Sequence, residues 1–227
     1  MSFKIVVMSC DKNKDLFIPF HHCMEKYWKD HPEIIYSTES ETNPFYKTIH
    51  FDYPINQWTK RVYNTIKDLD CDNVLLMIDD LFIRNYVDND LINSLENYIG
   101  GIIGALNFER SFDKNDIQLD DKVCLRNHYG KYKTSVMCQL WTKNAILDIF
   151  NCEKDPWTFE SDNISKHFVY LCSKNGNFID WGYLTNKWFG IRKGKWCREC
   201  KEFFDKENLT IDYSIRGFYE WKFMYVR

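Results

Sequence analysis

The stretch Asn73-Val74-Leu75-Leu76-Met77-Ile78-Asp79-Asp80 decides the fold class. Its apolar residues are continuous rather than alternating, which is typical of a strand buried on both faces of a parallel sheet that is covered by helices. The run ends abruptly at two carboxylates. Because ligands of such sheets bind beyond the carboxyl ends of the strands, we expect Asp79 and Asp80 at a binding edge.

The residues on either side of this stretch extend the pattern. Before it, the spacing of apolar residues predicts a strand at residues 4–8, a helix over 16–27, strands at 34–37 and 48–51, and a helix over 58–69. The order β-α-β-β-α-β indicates an α/β fold with a mostly parallel sheet flanked by helices. After it, the spacing predicts a helix over residues 91–106, short strands within 117–139 and a helix over 144–150.

No repeat, low-complexity tract or linker rich in Pro or Gly interrupts the 227 residues, so a single domain is expected. The glycine cluster of residues 100–104 lacks the Lys-Ser/Thr of a phosphate-binding P-loop and is expected inside the predicted helix, as a close-packing point or a hinge.

The composition excludes several classes of protein. With 30 Lys and Arg against 33 Asp and Glu, the formal charge is −3, so there is no global positive field for coating nucleic acid. The longest apolar run is far short of the roughly 20 residues that span a bilayer, although peripheral membrane association stays open. Nine cysteines without a signal peptide before them predict reduced thiols in the cytoplasm.

The charge is divided unevenly along the chain. Residues 187–227 hold ten Lys and Arg and six Asp and Glu, a net +4, which leaves −7 on residues 1–186. Within this basic segment, Arg192, Lys193 and Lys195 surround Gly194, which would let backbone amides approach an anion. These side chains and Arg61 are candidates for neutralising phosphates. A solvated surface segment explains the same pattern.

Asp79 and Asp80 are the first candidates for chemistry. Adjacent carboxylates at the edge of a sheet are costly to desolvate unless a cation or a charged ligand compensates them. Hard oxygen ligands suit Mg²⁺ or Mn²⁺, which can bridge the oxygens of a nucleoside diphosphate. The alternative is an acidic turn, or a helix cap at Asp80.

A second candidate is Glu160, which follows Trp157-Thr158-Phe159. Aromatic neighbours remove water from a carboxylate and raise its pKa toward that of a general base, and their rings can stack on sugars. A turn initiated by Pro156 with an exposed glutamate is the alternative. The aromatic content of 17% also favours stacking roles for Trp58, Trp141 and Trp157, although an aromatic-rich core remains open.

Five short motifs resemble, in order and spacing, small nucleotide-sugar-dependent glycosyltransferases of the GT-A fold, of the type that assembles surface polysaccharides in bacteria and large DNA viruses. These motifs are Ser9-Cys10-Asp11-Lys12, Trp58 with Arg61, residues 74–82, residues 135–141 and residues 157–160. The similarity covers about residues 4–196.

The resemblance implies the roles of several residues. Asp79 and Asp80 would occupy the metal-binding motif, and Ser9, Cys10 and Asp11 would lie near the nucleotide. Glu160 would bind the acceptor or act as the base of an inverting transfer. The donor would be a UDP-, GDP- or dTDP-sugar bound with Mn²⁺ or Mg²⁺, and the acceptor a glycan or a lipid-linked or protein-linked sugar.

The resemblance also divides the chain into a nucleotide-binding half at residues 1–82 and an acceptor-side half at 83–227. Two positions depart from the family pattern. The metal motif reads Ile78-Asp79-Asp80 rather than Asp-x-Asp, and Met137 stands where a polar residue is common. A non-catalytic carbohydrate- or nucleotide-binding module on the same fold stays open for that reason. A second alternative is a nucleotidyltransferase, which also uses acidic residues and Mg²⁺ beside an α/β sheet. Such an enzyme would normally carry a glycine-rich loop after the first strand, which residues 9–13 lack.

Overall fold

The computed structural model describes residues 3–110, 114–127, 134–162, 167–181 and 189–220. The strands are β1 (Phe3–Met8), β2 (Ile34–Thr38), β3 (Lys47–His50), β4 (Asn73–Ile78), β5 (Ile103–Arg110), β6 (Ile117–Gln118), β7 (Val123–Leu125), β8 (Cys138–Thr142), β9 (Val169–Ser173), β10 (Ile191–Arg192) and β11 (Lys195–Trp196). The first nine form one sheet in the order β3-β2-β1-β4-β8-β5-β9-β7-β6, and β10 and β11 form a separate hairpin.

The large sheet is mixed but mostly unidirectional. β3, β2, β1 and β4 are parallel neighbours, and β5 is parallel to β9. β8 runs antiparallel to both β4 and β5, and β7 runs antiparallel to β9 and β6. Seven of these nine strands therefore point the same way, which confirms the predicted α/β fold class.

Helices cover both faces of this sheet. They are α1 (Phe17–Tyr27), α2 (Trp58–Ile66), α3 (Asn89–Leu95), α4 (Lys143–Ile149), α5 (Pro156–Ser161) and α6 (Arg198–Lys206). Phe20 of α1 belongs to the same core cluster as Leu75, whereas Val62 of α2 belongs with Leu76 on the opposite face. Burial of both faces explains why β4 has a continuous apolar sequence, as predicted.

The prediction of one helix over residues 91–106 is wrong. α3 ends at Leu95, a 3-10 turn follows at Glu96–Tyr98, and the chain reverses at Gly100 and Gly101, where φ is +131° and +57°. Gly100 and Ile103 exchange backbone hydrogen bonds of 2.9 Å before β5 begins. Gly100 and Gly101 serve a tight turn rather than helix packing, because glycine adopts positive φ without steric cost. Gly104, in β5, is the close-packing point that was predicted, since a Cβ there would meet Phe168 and Ala145. The short strands predicted within residues 117–139 and the helix predicted over 144–150 are confirmed by β6, β7, β8 and α4.

Among the described residues, no helix is both long enough and apolar enough to cross a bilayer. All nine cysteines are free thiols, as predicted. Cys197 immediately precedes α6 and Cys200 lies within it, and both are buried.

Candidate functional site

The site lies where the order of the strands reverses. From β1 the chain continues to β2 on one side, and β4 is later added on the other side of β1. Open α/β sheets bind ligands in the crevice that such a reversal creates. Met8 pairs with Ile78 at the ends of these parallel strands, so Ser9 and Asp79 emerge side by side.

A cavity of about 310 Å³ opens at this point, a volume typical of small-ligand sites. It brings together eight of the predicted residues, which are Ser9, Cys10, Trp58, Arg61, Asp79, Asp80, Trp157 and Glu160. Asn13, Ile55, Val136 and Pro156 also line it and were not among the candidates. Residues far apart in the sequence therefore share one crevice.

Asp79 is held by two neighbours from the loop after β1. The Ser9 hydroxyl donates to Oδ2 of Asp79, and Nδ2 of Asn13 donates to Oδ1 at 2.8 Å. Burial and the charge of Asp80 nevertheless raise the pKa of Asp79 to about 7. Both oxygens of this carboxylate are already used within the protein.

Asp80 is different, because its Oδ1 is buried and has no hydrogen-bond partner among the residues that the structure describes. Burial raises the pKa of Asp80 to about 6, against the opposing effect of the Arg216 charge. A buried carboxylate oxygen without a partner is costly unless a ligand compensates it. This atom fits the predicted site for a divalent cation.

The donor set suits a cation that is only partly bound by protein. Within the described ranges there is no cluster of three or more His, Cys, Asp or Glu side chains suited to a metal. Mg²⁺, however, is commonly held by one or two carboxylates, with water and substrate phosphates as the other ligands. Asp80 fits that pattern better than Asp79, whose oxygens accept hydrogen bonds from Ser9 and Asn13.

Glu160 faces the cavity from α5, which Asp155 caps by accepting a hydrogen bond from the Thr158 N–H. Oε1 of Glu160 accepts the backbone N–H of Val136 at 2.9 Å. Burial raises the pKa of Glu160, although bonds from Val136 and Ser135 oppose the shift. The exposed-glutamate alternative is thereby excluded, and a partly desolvated carboxylate faces the pocket.

Arg61 and Asp11 hold together two loops, the one that follows β1 and the one that follows β2. Arg61 is buried and binds Glu39 through Nη1 and the carbonyl of Ser9 through Nη2, at 2.6 Å for the latter. Asp11 does not line the cavity. Its carboxylate accepts the backbone N–H groups of Ser40 and Glu41, each at 2.9 Å. Hydrogen bonds from this loop lower the pKa of Asp11 to about 2 against the opposing effect of desolvation.

Cys10 does line the cavity. Burial, with a smaller effect of the Asp79 charge, raises the pKa of its thiol to about 11. The thiol is therefore neutral at physiological pH.

The tryptophans separate into rim and core. Trp157 is 69% exposed at the cavity, and Trp58 lines it while packing against Phe159. The prediction that Trp141 stacks on a sugar is wrong, since its ring is fully buried against Phe150 on one face of the sheet. Trp196 is likewise in the core, stacked on Phe82.

Lys193 is exposed in the turn of the β10–β11 hairpin, Lys195 is exposed at the start of β11, and neither lines the cavity. The hairpin itself contacts the site, because the N–H of Ile191 donates to the carbonyl of Asp80 at 3.1 Å. A role of the two lysines in phosphate binding stays a prediction. His128, a weaker candidate as a third metal ligand or acceptor contact, lies outside the described residues.

Two contributors were missed from sequence. Asn13 holds Asp79, and Arg216 holds Asn13 through a bond of 2.9 Å across 203 residues of sequence. The only available signal was the basic excess of residues 187–227, which does not single out one side chain. Asn13 carries no charge or motif that would separate it from other loop asparagines.

Comparison with known proteins addresses the fold. No protein-family model matches the sequence, and no curated protein matches it. Among solved structures, a cytidylyltransferase from Leptospira borgpetersenii serovar Hardjo-bovis superposes with a TM-score of 0.51 at 11% identity, covering 98% of this chain and 100% of that one. This chain shares the fold of that cytidylyltransferase.

TarS from S. aureus is also similar, with a TM-score of 0.48 at 10% identity over 77% of this chain and 37% of that one. A shorter form, TarS 1–349 in complex with UDP-GlcNAc, gives 0.45 at 12% identity, over 78% of this chain and 60% of that one. At sequence identities this low, structural similarity indicates a shared fold but not a shared reaction, which depends on the residues of the site.

Proposed function

We propose that this protein is a glycosyltransferase that moves a sugar from a nucleoside-diphosphate sugar to a hydroxyl group of a glycan or other acceptor. The observation that carries the proposal is one cavity lined by both the acidic pair Asp79 and Asp80 and the separate carboxylate Glu160. Sugar transfer develops charge at two places, on the departing diphosphate and on the attacking hydroxyl. The cavity offers groups for both.

The acidic pair would serve the donor. Asp80 would hold Mg²⁺ or Mn²⁺ through its unpartnered Oδ1, with Asp79 kept in place by Ser9 and Asn13. When bound, the cation supplies positive charge that stabilises the departing diphosphate. The exposed lysines Lys193 and Lys195 would add charge to the outer side of this region.

Glu160 would serve the acceptor. A base must take the proton of the attacking hydroxyl, and a carboxylate with a raised pKa accepts it more readily than an exposed one. The Val136 N–H orients the side chain. Trp157, exposed beside it, would provide a stacking surface for an acceptor sugar. With Glu160 as the base, the transfer we propose is an inverting displacement.

Thermal unfolding with UDP, GDP and dTDP, each with and without Mn²⁺, tests donor binding. A nucleotide at a hundred times its dissociation constant adds about 2.7 kcal/mol to stability. Asp80→Asn should abolish the Mn²⁺-dependent part of the shift, whereas Glu160→Gln should retain it and lose only turnover. The exposed Glu202→Gln is the matched control. If Mn²⁺ increases the nucleotide-dependent thermal shift of Asp80→Asn as much as that of the wild type, the assignment of Asp80 as the metal ligand is contradicted.

Release of free sugar from the donor distinguishes an enzyme from a non-catalytic binding module, because the enzyme can use water in place of the acceptor. Failure of every nucleotide sugar to be cleaved, despite tight binding, would favour the module.

The fold shared with a cytidylyltransferase makes nucleotidyl transfer the second candidate. The assay supplies CTP or UTP with a sugar 1-phosphate and measures pyrophosphate. We expect none, because residues 9–13, which follow β1, contain no glycine to wrap a triphosphate. If the wild type releases pyrophosphate and Asp80→Asn does not, nucleotidyl transfer would replace glycosyl transfer as the proposed function.

A further inference from the structure

Arg216 reaches from the C-terminal segment into the loop that follows β1. Its Nε donates to Oδ2 of Asp15 at 2.7 Å, and its Nη2 contacts Oδ1 of Asp15 at 2.6 Å, the carbonyl of Lys12 at 2.8 Å and Oδ1 of Asn13 at 2.9 Å. The Arg216 and Asp15 side chains are only 10% and 12% exposed. This planar, multidentate geometry needs a guanidinium and is not available to a lysine.

Asn13 links Arg216 to Asp79 of the acidic pair. Its Oδ1 accepts from Arg216, and its Nδ2 donates to Oδ1 of Asp79 at 2.8 Å. The two ends of the amide are therefore fixed in opposite roles, and rotating it by a half turn would break both contacts. Arg216 thus determines which atom of Asn13 faces Asp79.

The same guanidinium places positive charge near the two carboxylates. Its charge interacts with those of Asp79 and Asp80 as well as with its direct partner Asp15. Arg61, which lines the cavity, is already engaged by Glu39 and by the carbonyl of Ser9.

The segment that carries Arg216 is itself anchored. The N–H of Trp196 donates to the carbonyl of Gly217 at 3.0 Å, and the N–H of Tyr219 donates to the carbonyl of Trp196 at 2.8 Å. Because the hairpin that contains Trp196 also binds the Asp80 carbonyl through Ile191, the C-terminal segment contacts Asp80 directly and reaches Asp79 through Asn13.

We propose that Arg216 is a positioning residue of the diphosphate site, which orients Asn13 and through it fixes Asp79 beside Asp80, the carboxylate proposed to hold a divalent cation with a nucleoside diphosphate. The proposal rests on the function proposed above. It adds Arg216 to the donor side of the site, where Arg192, Lys193 and Lys195 of the same segment are candidates for neutralising phosphates.

The test measures Mn²⁺ binding, first alone by the electron paramagnetic resonance signal of the free ion, and then with UDP, GDP or dTDP by calorimetry. Arg216→Met should weaken binding roughly tenfold, the size expected for losing a hydrogen bond that orders a charged group. Arg216→Lys should lie between Arg216→Met and the wild type. Arg198→Met is the matched control, because Arg198 is 62% exposed and pairs with Glu220 in the same C-terminal unit.

A double-mutant cycle separates positioning from general stability. If Arg216 acts through Asn13, the variant with both Arg216→Met and Asn13→Ala binds Mn²⁺ no more weakly than the worse single variant. Additive losses would overturn the positioning role, as would wild-type affinity in Arg216→Met. Where Arg216→Met does not fold, Arg216→Lys decides: a positioning role weakens its Mn²⁺ binding, and a purely structural role leaves its Mn²⁺ affinity at the wild-type value.

The outcomes also separate this inference from the proposed function. A wild-type protein that binds Mn²⁺ and loses this in Arg216→Met, yet neither transfers nor hydrolyses any sugar nucleotide, would overturn the glycosyltransferase proposal alone. A wild-type protein that binds no Mn²⁺, with or without nucleotide, would overturn both.

Discussion

The backbone N–H of Val136 donates a hydrogen bond of 2.9 Å to Oε1 of Glu160. This contact joins the loop that precedes β8 to α5 and fixes a carboxylate at the wall of the cavity. The bond stabilises the ionised form, whereas the larger effect of burial opposes it, so the pKa of Glu160 is raised. A carboxylate that burial deprives of water, and whose pKa is raised as a result, is typical of functional sites.

Glu160→Gln should raise the melting temperature at neutral pH and have little effect in acid. Because the pKa of Glu160 is raised, the folded protein keeps a proton that the unfolded chain loses near about pH 4.3. Stability is therefore full below that pH and falls as pH rises through the folded pKa. Glutamine avoids this loss, and its Oε1 can still accept from Val136.

Melting curves of both proteins between about pH 4 and pH 8 check this, since the loss of stability begins above the unfolded pKa of about 4.3. The difference in melting temperature should grow with pH. Glu202→Gln, at an exposed position of α6, should show no such trend. A difference that does not change with pH would contradict the raised pKa.

Trp157→Ala and Trp141→Ala should affect different properties. Trp157 is 69% exposed, so its loss should change the free energy of unfolding by no more than about 0.5 kcal/mol while weakening acceptor use. Trp141 is fully buried, and its truncation should cost about 3–5 kcal/mol. Urea unfolding measures the free energy of unfolding, and the KM for acceptor measures acceptor use. A large stability loss in Trp157→Ala would contradict its assignment to the rim.

Arg61→Met should destabilise the fold, because it leaves Glu39 without its buried partner. The loss should be about 2 kcal/mol, below the values for fully buried pairs, since the Glu39 side chain is 27% exposed. Adding Glu39→Gln should recover part of it by removing the unpaired charge. Guanidinium unfolding of the two single variants and the double variant measures the coupling. Strict additivity would show that Arg61 is not held by Glu39.

Gly190→Ala should be far more damaging than Gly194→Ala. Gly190 has φ of +130°, and a Cβ there would collide with the carbonyl oxygen of Asp80. Gly194 also has positive φ, at +75°, but a Cβ would meet nothing within 4 Å. We expect about 1 kcal/mol for Gly194→Ala and at least about 3 kcal/mol for Gly190→Ala. Equal melting temperatures would contradict the close approach of the hairpin to Asp80.

Local pattern was sufficient where neighbouring elements in sequence are also neighbours in space. β1, β2, β3 and β4, with α1 and α2 between them, were predicted because each carries its own periodicity and polar end. The pattern failed at residues 91–106, where the buried strand β5 follows a short helix. A strand that is buried on both faces has a continuous apolar sequence, which periodicity alone cannot distinguish from a helix.

The candidate site was only partly predictable for a related reason. Ser9, Asp79 and Asp80 follow buried strands, and Glu160 follows two aromatic residues, so their types and positions were informative. The tryptophans carried the same chemical signal at every position, and tertiary packing alone sends Trp157 to the rim and Trp141 to the core. Which residues share a crevice depends on strand order.

The sequence by itself determined an α/β chain whose buried strand ends in two carboxylates, because hydrophobic periodicity and the cost of desolvating charge are local properties. Only the tertiary structure decided how each carboxylate is used. Asp79 has both oxygens bonded by Ser9 and Asn13, whereas Asp80 keeps one buried oxygen that no described residue bonds. The hydrogen bond between Arg216 and Asn13 joins residues that are 203 positions apart in the sequence. Contacts at such sequence separations depend on how the chain packs and not on any local pattern.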